Sequence, residues 1–463
     1  IRDSTNMGAK APLNLSRIKQ LATMPSEDKI YNARHLLPVM ARVFIRTFGC
    51  SVNLSESEVM AGLLSKAGHT LVKGPANADL MLLNVCTVKG EAKAIREIMS
   101  LRRRFPVLPL LVAGCITPEL VRACPGESFL STHSISFVVR AVEGALQGRR
   151  MDIREVGSLV KINLPRQRKN CVVGVVPISS GCNNSCTYCS VRAVKGSLFS
   201  YRMDDVLREI KNALSSGCSE IWLTSQDTAA YGTDRQKKSL LPELISEAAA
   251  LRGSFMIRVG MMGPKTAYPV LDELVSAFSC RKVFKFIHLP VQSGSPRVLG
   301  LMGRGYSPGM FTDIVDAFRR ALPRITLSTD IICGFPTETD AEFMESMELV
   351  KRVQPGVLNI SRFQARPGTA AERMLQIHGR VSKERSRKLT ALFRRLAMVW
   401  NMQWVGWRGS ILIDEKGKDN TLVGRNDFYR PVIVKGNAQP GQRVRVKITG
   451  ATSHDLRGEI IRN

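Results

Sequence analysis

The stretch that decides the fold is Cys182-Asn183-Asn184-Ser185-Cys186-Thr187-Tyr188-Cys189, which follows an apolar run over 172–178. Three cysteines in a C-x3-C-x2-C array supply thiolates to three irons of a cubane iron–sulfur cluster and leave the fourth iron without a protein ligand. An iron with an open coordination position is a reaction site, whereas a fully thiolate-bound cluster mainly moves electrons. The array therefore predicts cofactor chemistry at the end of a strand.

Strands and helices alternate after this array. Apolar runs that predict strands occupy 172–178, 220–224, 256–260, 284–289, 325–332 and 357–363. Amphipathic stretches that predict helices occupy 203–215, 242–250, 268–278, 308–321 and 341–353. Eight βα units would close a TIM barrel, so six predict a partial (β/α)6 barrel with an open side and its chemistry at the carboxyl ends of the strands.

Three more cysteines recur at one position in the first half of the chain. Cys50, Cys86 and Cys115 each follow a predicted strand (42–47, 80–85 and 108–113) and precede a predicted helix, the first over 55–66 with Ser55 and Glu58 as a capping box and the second over 91–104. Such alternation predicts a parallel, flavodoxin-like sheet whose carboxyl ends share one edge. The three thiols should converge there on an auxiliary four-iron cluster. The alternative is three separately buried cysteines.

The last part of the chain has a different pattern. Short alternating runs at 409–413, 422–426, 430–434, 443–449 and 456–461 are separated by turn residues. They predict a small antiparallel, OB-like barrel, a class that often binds oligonucleotides. We divide the chain into an extension predicted to be flexible (1–40), an N-terminal domain (41–160), a basic linker (161–169), a barrel domain (168–400) and a C-terminal domain (401–463).

The charge points to a polyanionic partner. Sixty-seven Lys and Arg residues against 39 Asp and Glu give a formal net charge of +28, which favours nucleic acid, although a solvated basic surface is the alternative. We expect RNA contacts from a basic helix near 380–395 and from the C-terminal barrel. The candidate side chains are Arg385, Lys388, Arg395, Arg408, Arg425, Arg430 and Lys435.

The cysteines and apolar runs also bear on the compartment. Eleven cysteines in 463 residues do not form a secreted disulfide framework, and no run has the roughly 18 apolar residues of a membrane helix. We expect a reducing compartment and no membrane contact. The cytoplasm is the first choice, or an organelle if residues 1–40 are a targeting remnant.

The array, with Tyr188 before its last cysteine, resembles that of the radical S-adenosylmethionine (SAM) superfamily. Three further stretches resemble its methylthiotransferase branch: Thr47-Phe48-Gly49-Cys50-Ser51-Val52-Asn53, Asn84-Val85-Cys86 and Gly114-Cys115. The C-terminal barrel resembles a TRAM domain, a tRNA-binding module. Residues 220–232 and 329–338 are most similar to the archaeal and eukaryotic threonylcarbamoyladenosine tRNA methylthiotransferases. Lys195 departs from that family, where arginine is usual before the glycine.

The resemblance implies a reaction and its parts. The product would carry a methylthio group on C2 of N6-threonylcarbamoyladenosine at position 37 of a tRNA, next to the anticodon. One SAM would be the radical source and a second the methyl donor. Two [4Fe-4S] clusters are implied, one on Cys182, Cys186 and Cys189 and an auxiliary, sulfur-carrying one on Cys50, Cys86 and Cys115. A flavodoxin- or ferredoxin-type protein would be the reductant, and the sulfur donor stays open.

The resemblance, with positions at strand ends, also suggests SAM contacts. They are Tyr188, Ser225, Gln226, Asp227, Arg258, His288, Gln292, Asp330, Ile332, Gly334 and Arg366. Arg258 and His288 are equally well explained as structural partners at strand ends.

Other functions fit parts of the pattern. The nearest alternative is the same chemistry on isopentenyladenosine-37 or on an aspartate of a ribosomal protein. An iron–sulfur protein that binds RNA or senses redox state without turnover is the alternative outside enzymes. A zinc module fits least, because structural zinc usually takes four ligands.

Overall fold

A computed structural model describes residues 40–154 and 160–461. The predicted flexible extension, apart from Met40, lies outside the described residues. Within those ranges, no helix has both the length and the apolar character that crossing a bilayer requires.

The N-terminal domain is built on a six-stranded parallel sheet with strand order β2-β1-β3-β4-β5-β6. Its strands are β1 (Arg42–Thr47), β2 (Thr70–Val72), β3 (Leu80–Cys86), β4 (Leu110–Cys115), β5 (Ser128–Ser131) and β6 (Asp152–Ile153). Its helices are α1 (Ser51–Lys66), α2 (Thr87–Arg104), α3 (Pro118–Ala123) and α4 (Val138–Leu146). Strand β3 is apolar and buried along its whole length because helices cover both faces of the sheet.

Two helix starts differ from the predicted ones. Helix α1 begins at Ser51, not Ser55, with Cys50 as its N-cap. Ser55 instead accepts a hydrogen bond from Arg166 of the linker, 2.6 Å from Nη1 to Oγ, so this serine is used in packing and not in capping. Helix α2 begins at Thr87, before the predicted start at 91, and Gly90 interrupts its helical geometry with a φ of 157°.

The central domain is a six-stranded parallel arc, as predicted. Its main strands are β7 (Val173–Pro177), β10 (Glu220–Thr224), β11 (Met256–Val259), β12 (Phe286–His288), β13 (Thr326–Cys333) and β14 (Val357–Arg362), and a short hairpin pairs β8 (Ser179–Ser180) with β9 (Phe199–Ser200). Strands β7, β10 and β11 form one sheet and β12, β13 and β14 the other. Isolated bridges such as Met261–His288 join the two sheets, so the barrel is partial and splayed.

The helices of this domain cover the outside of the arc and share one apolar core with it. They are α5 (Val191–Lys195), α6 (Met203–Ser215), α7 (Thr233–Gln236), α8 (Leu241–Ala250), α9 (Pro264–Ala267), α10 (Leu271–Phe278), α11 (Pro296–Leu301), α12 (Pro308–Ala321), α13 (Asp340–Val353) and α14 (Gly379–Met402). The basic linker packs between the two domains, where Arg166 forms an ion pair with Glu209 at 2.6 Å.

The C-terminal domain is a closed five-stranded barrel, which confirms the predicted fold class. Its strands are β15 (Arg408–Lys416), β16 (Thr421–Arg425), β17 (Pro431–Lys435), β18 (Arg443–Ala451) and β19 (Leu456–Ile460). The turn before β17 inserts Tyr429 into the amino-terminal end of the central arc. There the Tyr429 hydroxyl donates to Glu220 at 2.9 Å, and the ring packs on Phe284 and Phe286. This small barrel therefore sits at the opposite end of the strands from the cysteine loops.

Candidate active site with two cysteine sets

A cavity of about 780 Å³ lies at the carboxyl ends of the central strands. Tyr188, from the C-x3-C-x2-C loop, lines one part of it. Cys50 and Cys86 of the N-terminal domain line another part. The loop that carries the C-x3-C-x2-C array and two of the N-terminal cysteines therefore border one cavity, although they belong to different domains.

The N-terminal cysteines meet where β3, β4 and α1 come together. Cys86 and Cys115 are register partners at the ends of neighbouring strands, and Cys50 caps α1. The pKa of Cys50 is lowered to about 6, because a hydrogen bond with the Cys86 thiol and the charge of Lys195 together outweigh burial, which raises it. A lowered thiol pKa favours the thiolate, the form that binds metals.

Two asparagines and a glycine shape this cysteine site. Asn53 accepts from the backbone N–H of Cys50 and donates to Asn84, which donates back to the Asn53 carbonyl at 2.8 Å. Gly114 packs against this pair, where a Cβ would lie 2.2 Å from Asn84 Oδ1, and it adopts a φ of 101°. Glycine is therefore required beside Cys115 on both steric and conformational grounds.

Each sulfur of the C-x3-C-x2-C loop has a hydrogen-bond donor beside it. The backbone N–H groups of Asn184 and Val191 point to Cys182 and Cys189, at 3.4 and 3.5 Å. Arg304 donates to Cys186 Sγ at 2.9 Å. Burial raises the pKa of Cys182 to about 11 in the absence of a metal. Hydrogen bonds and a guanidinium aimed at sulfur are the surroundings that thiolates need.

Each cysteine set offers three thiolates, the donor set of a cubane cluster with one open iron. Among residues 40–154 and 160–461, no three His, Cys, Asp or Glu side chains are arranged around one metal ion. A cubane makes a different demand, since each thiolate binds a different iron. Two sets of three cysteines, each with hydrogen-bond donors or a cation beside the sulfurs, match that demand.

The candidate SAM contacts divide into two groups. Most of them line the cavity, namely Tyr188, Ser225, Gln226, Arg258, His288, Gln292, Asp330, Ile332 and Arg366. Asp227 and Gly334 do not. The Asp227 carboxylate accepts from Gly263 and Thr266 and so holds a neighbouring loop. The Gly334 N–H donates to Glu338, and the glycine packs against Ser382. Both residues thus have structural contacts, and their contact with SAM stays a prediction.

Polar side chains on adjacent strands form a chain along one cavity wall. His288 Nε2 lies 3.1 Å from Asp330 Oδ1, and Asn359 donates to the same oxygen at 2.6 Å. These contacts hold the carboxylate in place. Arg258, on β11, is packed against the rings of Trp222, Phe286 and Tyr429 at 4.9–5.3 Å. Its guanidinium is thereby held by aromatic faces and not by an acid.

Two residues at the domain boundary were not singled out as site residues from the sequence. Lys195, at the end of α5, lines the cavity and contacts Glu56 of α1 at 3.3 Å between Nζ and Oε1. Burial would raise the pKa of Glu56, but Lys161 and Lys195 outweigh this effect and hold it at about 2. The one sequence signal for Lys195 was its departure from the family pattern, in which arginine is usual before the glycine.

The predicted RNA contacts also divide. Lys388, Arg395, Arg408 and Lys435 are exposed, and Arg425 is half-buried in an ion pair with Asp414. Arg385 and Arg430 are buried, so the prediction that they touch RNA is wrong. Arg385 holds Glu338 at 2.6 Å and Asp340 at 2.8 Å. Arg430 donates to the Gly356 carbonyl and to Asn401, which fastens the small barrel to the arc.

We expect Arg385→Met to lower the free energy of unfolding by about 3–5 kcal/mol, because it leaves the buried Glu338 carboxylate without its partner. Lys388→Met is the matched control, four residues away from Glu384 on the exposed face, and should leave the free energy of unfolding nearly unchanged. Chemical denaturation measures both values. The salt dependence of tRNA affinity should change for Lys388→Met and stay the same for Arg385→Met. Equal stability losses in the two variants would contradict the assignment.

The three-domain architecture and the two cysteine sets define a radical SAM protein, and family models agree with this class. The Radical SAM superfamily model matches residues 176–350. The model of the uncharacterized protein family UPF0004 matches residues 42–125, and the TRAM domain model matches residues 405–461.

Curated relatives narrow the class. A probable threonylcarbamoyladenosine tRNA methylthiotransferase of Methanothermobacter thermautotrophicus is 40% identical over 417 residues, 89% of this chain and 97% of the relative. The threonylcarbamoyladenosine tRNA methylthiotransferases of Drosophila melanogaster and Homo sapiens are 37% and 34% identical, over 92% and 91% of this chain and 79% and 74% of theirs. The chain belongs to the threonylcarbamoyladenosine tRNA methylthiotransferase family. This confirms the predicted enzyme class and tRNA as its substrate, against the alternatives of another target or of a protein without turnover.

Solved structures agree on the fold. The radical SAM methyltransferase TsrM of Kitasatospora setae, with cobalamin and a [4Fe-4S] cluster bound, has a TM-score of 0.53 and 14% identity over 72% of this chain and 77% of that chain. At this identity the likeness concerns the fold alone.

Proposed function

We propose that the chain binds two [4Fe-4S] clusters and, at the cavity of about 780 Å³, two SAM molecules in succession, one as radical source and one as methyl donor. The observation that carries this proposal is the shared cavity, lined by Tyr188 of one cysteine loop and by Cys50 and Cys86 of the other site. Chemistry that transfers a group from one centre to a radical made at another requires both centres to reach one substrate atom.

The cysteine sets would hold the two clusters, three thiolates each. When bound, an open iron with SAM supplies the radical chemistry that an unactivated aromatic C–H requires. The chain itself supplies position, charge and a bounded space. Arg304 would balance negative charge at Cys186, and Asn53 would orient the backbone around Cys50. The cavity residues Ser225, Gln226 and Asp330 offer polar groups to the amino, carboxylate and ribose parts of SAM.

The charge of the cavity supports an anionic substituent on the substrate base. Four cations line it, Lys195, Arg258, Arg362 and Arg366, against the single carboxylate of Asp330. The threonylcarbamoyl group carries a carboxylate, whereas unmodified adenine and an isopentenyl group do not. A cationic lining therefore favours the threonylcarbamoyl base over those two.

Helix α14 offers a path for the tRNA between the two ends of the central arc. Its 24 residues span about 36 Å at about 1.5 Å per residue. Its start packs against Gly334 at the cavity end, and Asn401 near its end donates to Thr452 of the small barrel. Lys388 and Arg395 are exposed along this helix. We propose that they, with Arg408 and Lys435, guide the anticodon stem while nucleotide 37 enters the cavity.

The proposal extends to the partners and the compartment. A strongly basic chain suits an acidic electron donor, so a flavodoxin- or ferredoxin-type protein is the proposed reductant. Cysteines that must stay reduced and metal-bound require a reducing compartment, and we propose the cytoplasm.

The test is mass spectrometry of nucleosides from tRNA treated with anaerobically reconstituted protein, SAM and a reductant. We expect threonylcarbamoyladenosine to gain the mass of a methylthio group in place of one hydrogen. The same tRNA transcript with unmodified adenosine-37, and one with isopentenyladenosine-37, should gain nothing, because neither presents a carboxylate to the cationic cavity. Modification of the isopentenyl tRNA at a similar rate would contradict the substrate assignment.

A further inference from the structure

Three charged side chains are buried together where the N-terminal domain meets the central arc. Glu56 comes from α1, Lys161 from the linker and Lys195 from α5, and each is at most 5% exposed. Lys161 Nζ lies 2.9 Å from Glu56 Oε1, and Lys195 Nζ lies 3.3 Å from the same oxygen. Thr132 joins all three through its side-chain oxygen.

The charges of this cluster do not cancel. Two ammonium groups share one carboxylate, which leaves an excess of one positive charge in a nearly water-free place. A buried charge without compensation is strongly unfavourable, so folded proteins match it with an opposite charge. Lys161 directs its donors to Glu56, to the Thr132 carbonyl and to the Thr132 hydroxyl, so its hydrogen-bonding capacity is used within the cluster.

Lys195 differs from Lys161 in what lies on its other side. Its two hydrogen bonds to Glu56 and Thr132 leave one ammonium N–H for another acceptor. It also lines the large cavity together with Cys50 and Cys86, whereas Lys161 lines only a small separate one. The negative charge that would balance the excess positive charge of the three buried side chains is therefore available at the N-terminal cysteines.

We propose that Lys195, a residue of the central domain, is a positioning residue that supplies the fixed positive charge for the cluster on Cys50, Cys86 and Cys115. This inference rests on the proposed function, since it requires that cluster. The negative charge of this iron–sulfur cluster balances the excess positive charge that remains after Glu56 neutralises one of the two lysines. Lys195 stabilises the more reduced, more negative state of the cluster, and Glu56 sets how much of the lysine charge is felt there.

A structural consequence follows for the two domains. The N-terminal cysteines receive this charge only when α5 is packed against α1, because Lys195 and Glu56 lie on opposite sides of the boundary. The potential of the N-terminal cluster thus depends on the docking of the domain that makes the radical. If Lys195 only held the two domains together, its replacement would leave the reduction potential of the N-terminal cluster unchanged.

The test uses the full chain with Cys182, Cys186 and Cys189 replaced by alanine, so that the reconstituted protein holds only the N-terminal cluster. The reduced and oxidised fractions of the cluster are measured by electron paramagnetic resonance at a fixed solution redox potential. Lys195→Met in this parent should lower the reduced-to-oxidised ratio about tenfold, which equals about 59 mV for a one-electron couple. Glu56→Gln should raise the ratio, because it leaves both lysines unneutralised. Lys195→Arg should keep the parent value.

Lys161→Met is the matched control, since it removes a buried ammonium that bonds to the same Glu56 oxygen but does not line the cavity of Cys50 and Cys86. Its effect on the ratio should be clearly smaller than that of Lys195→Met. Equal effects of the two, or a fall in the ratio for Glu56→Gln, would overturn the inference. If Lys195→Met loses the fold by circular dichroism, the sign of the Glu56→Gln shift decides alone. A parent that binds no iron would instead overturn the proposed second cluster, and with it this role of Lys195.

Discussion

Alanine at Cys182, Cys186 and Cys189 together should halve the iron bound by the reconstituted chain and reduce SAM cleavage to background. The three sulfurs lie on one loop, each with its own hydrogen-bond donor, and with them the chain loses every proposed protein ligand of one cluster. Iron and sulfide analysis gives the stoichiometry, and chromatography of 5′-deoxyadenosine gives the cleavage.

The control for this variant is Cys333→Ala. Cys333 is fully buried at the end of β13, near the same cavity, but it does not line the cavity and packs in the apolar core. Its replacement should cost some stability and no iron. Retention of all the iron in the triple variant would contradict the assignment of the loop as a cluster site.

Alanine at Cys50, Cys86 and Cys115 should also halve the bound iron, but it should abolish product formation and leave SAM cleavage intact. SAM cleavage should persist, since the other loop and the cavity wall of His288 and Asp330 are unchanged. No methylthio product should form, because the site proposed to carry the sulfur is gone. Parallel assays of 5′-deoxyadenosine and of the modified nucleoside measure the two outcomes.

Cys124→Ala is the matched control in the N-terminal domain. Cys124 is buried at the end of α3 among apolar neighbours and belongs to neither cysteine set. We expect it to keep both the iron and the product. Loss of SAM cleavage in the N-terminal triple variant would show that the two sites do not act separately.

Local sequence patterns predicted the bounds of several helices and strands. Strand β10, over Glu220–Thr224, and helices α6 and α12 have the predicted bounds, because apolar periodicity directly reflects which residues a neighbouring layer covers. The convergence of Cys86 and Cys115 was also predictable, since parallel strands end at one edge and the two residues are register partners. The start of α1 was not, because Ser55 looks like a cap locally but faces Arg166 of the linker.

Burial of charged residues was not predictable from composition. Arg385 and Arg430 count toward the net charge in the same way as Lys388, yet each fills a buried position with partners distant in the chain. For the same reason, the only thing that the sequence showed about Lys195 was that it departs from a family pattern. Its importance depends on Glu56, 139 residues earlier, and on the packing of two domains.

The sequence by itself determined the class of chemistry, the number of main strands in the central arc and in the C-terminal barrel, and the order of the domains. These follow from spacing and periodicity, which depend on neighbours along the chain. Only the tertiary structure decided that Cys50 and Cys86 share a cavity with Tyr188, that Lys195 lies beside them, and that the basic barrel sits at the other end of the arc. These depend on how separately folded layers pack, and no local pattern encodes that packing.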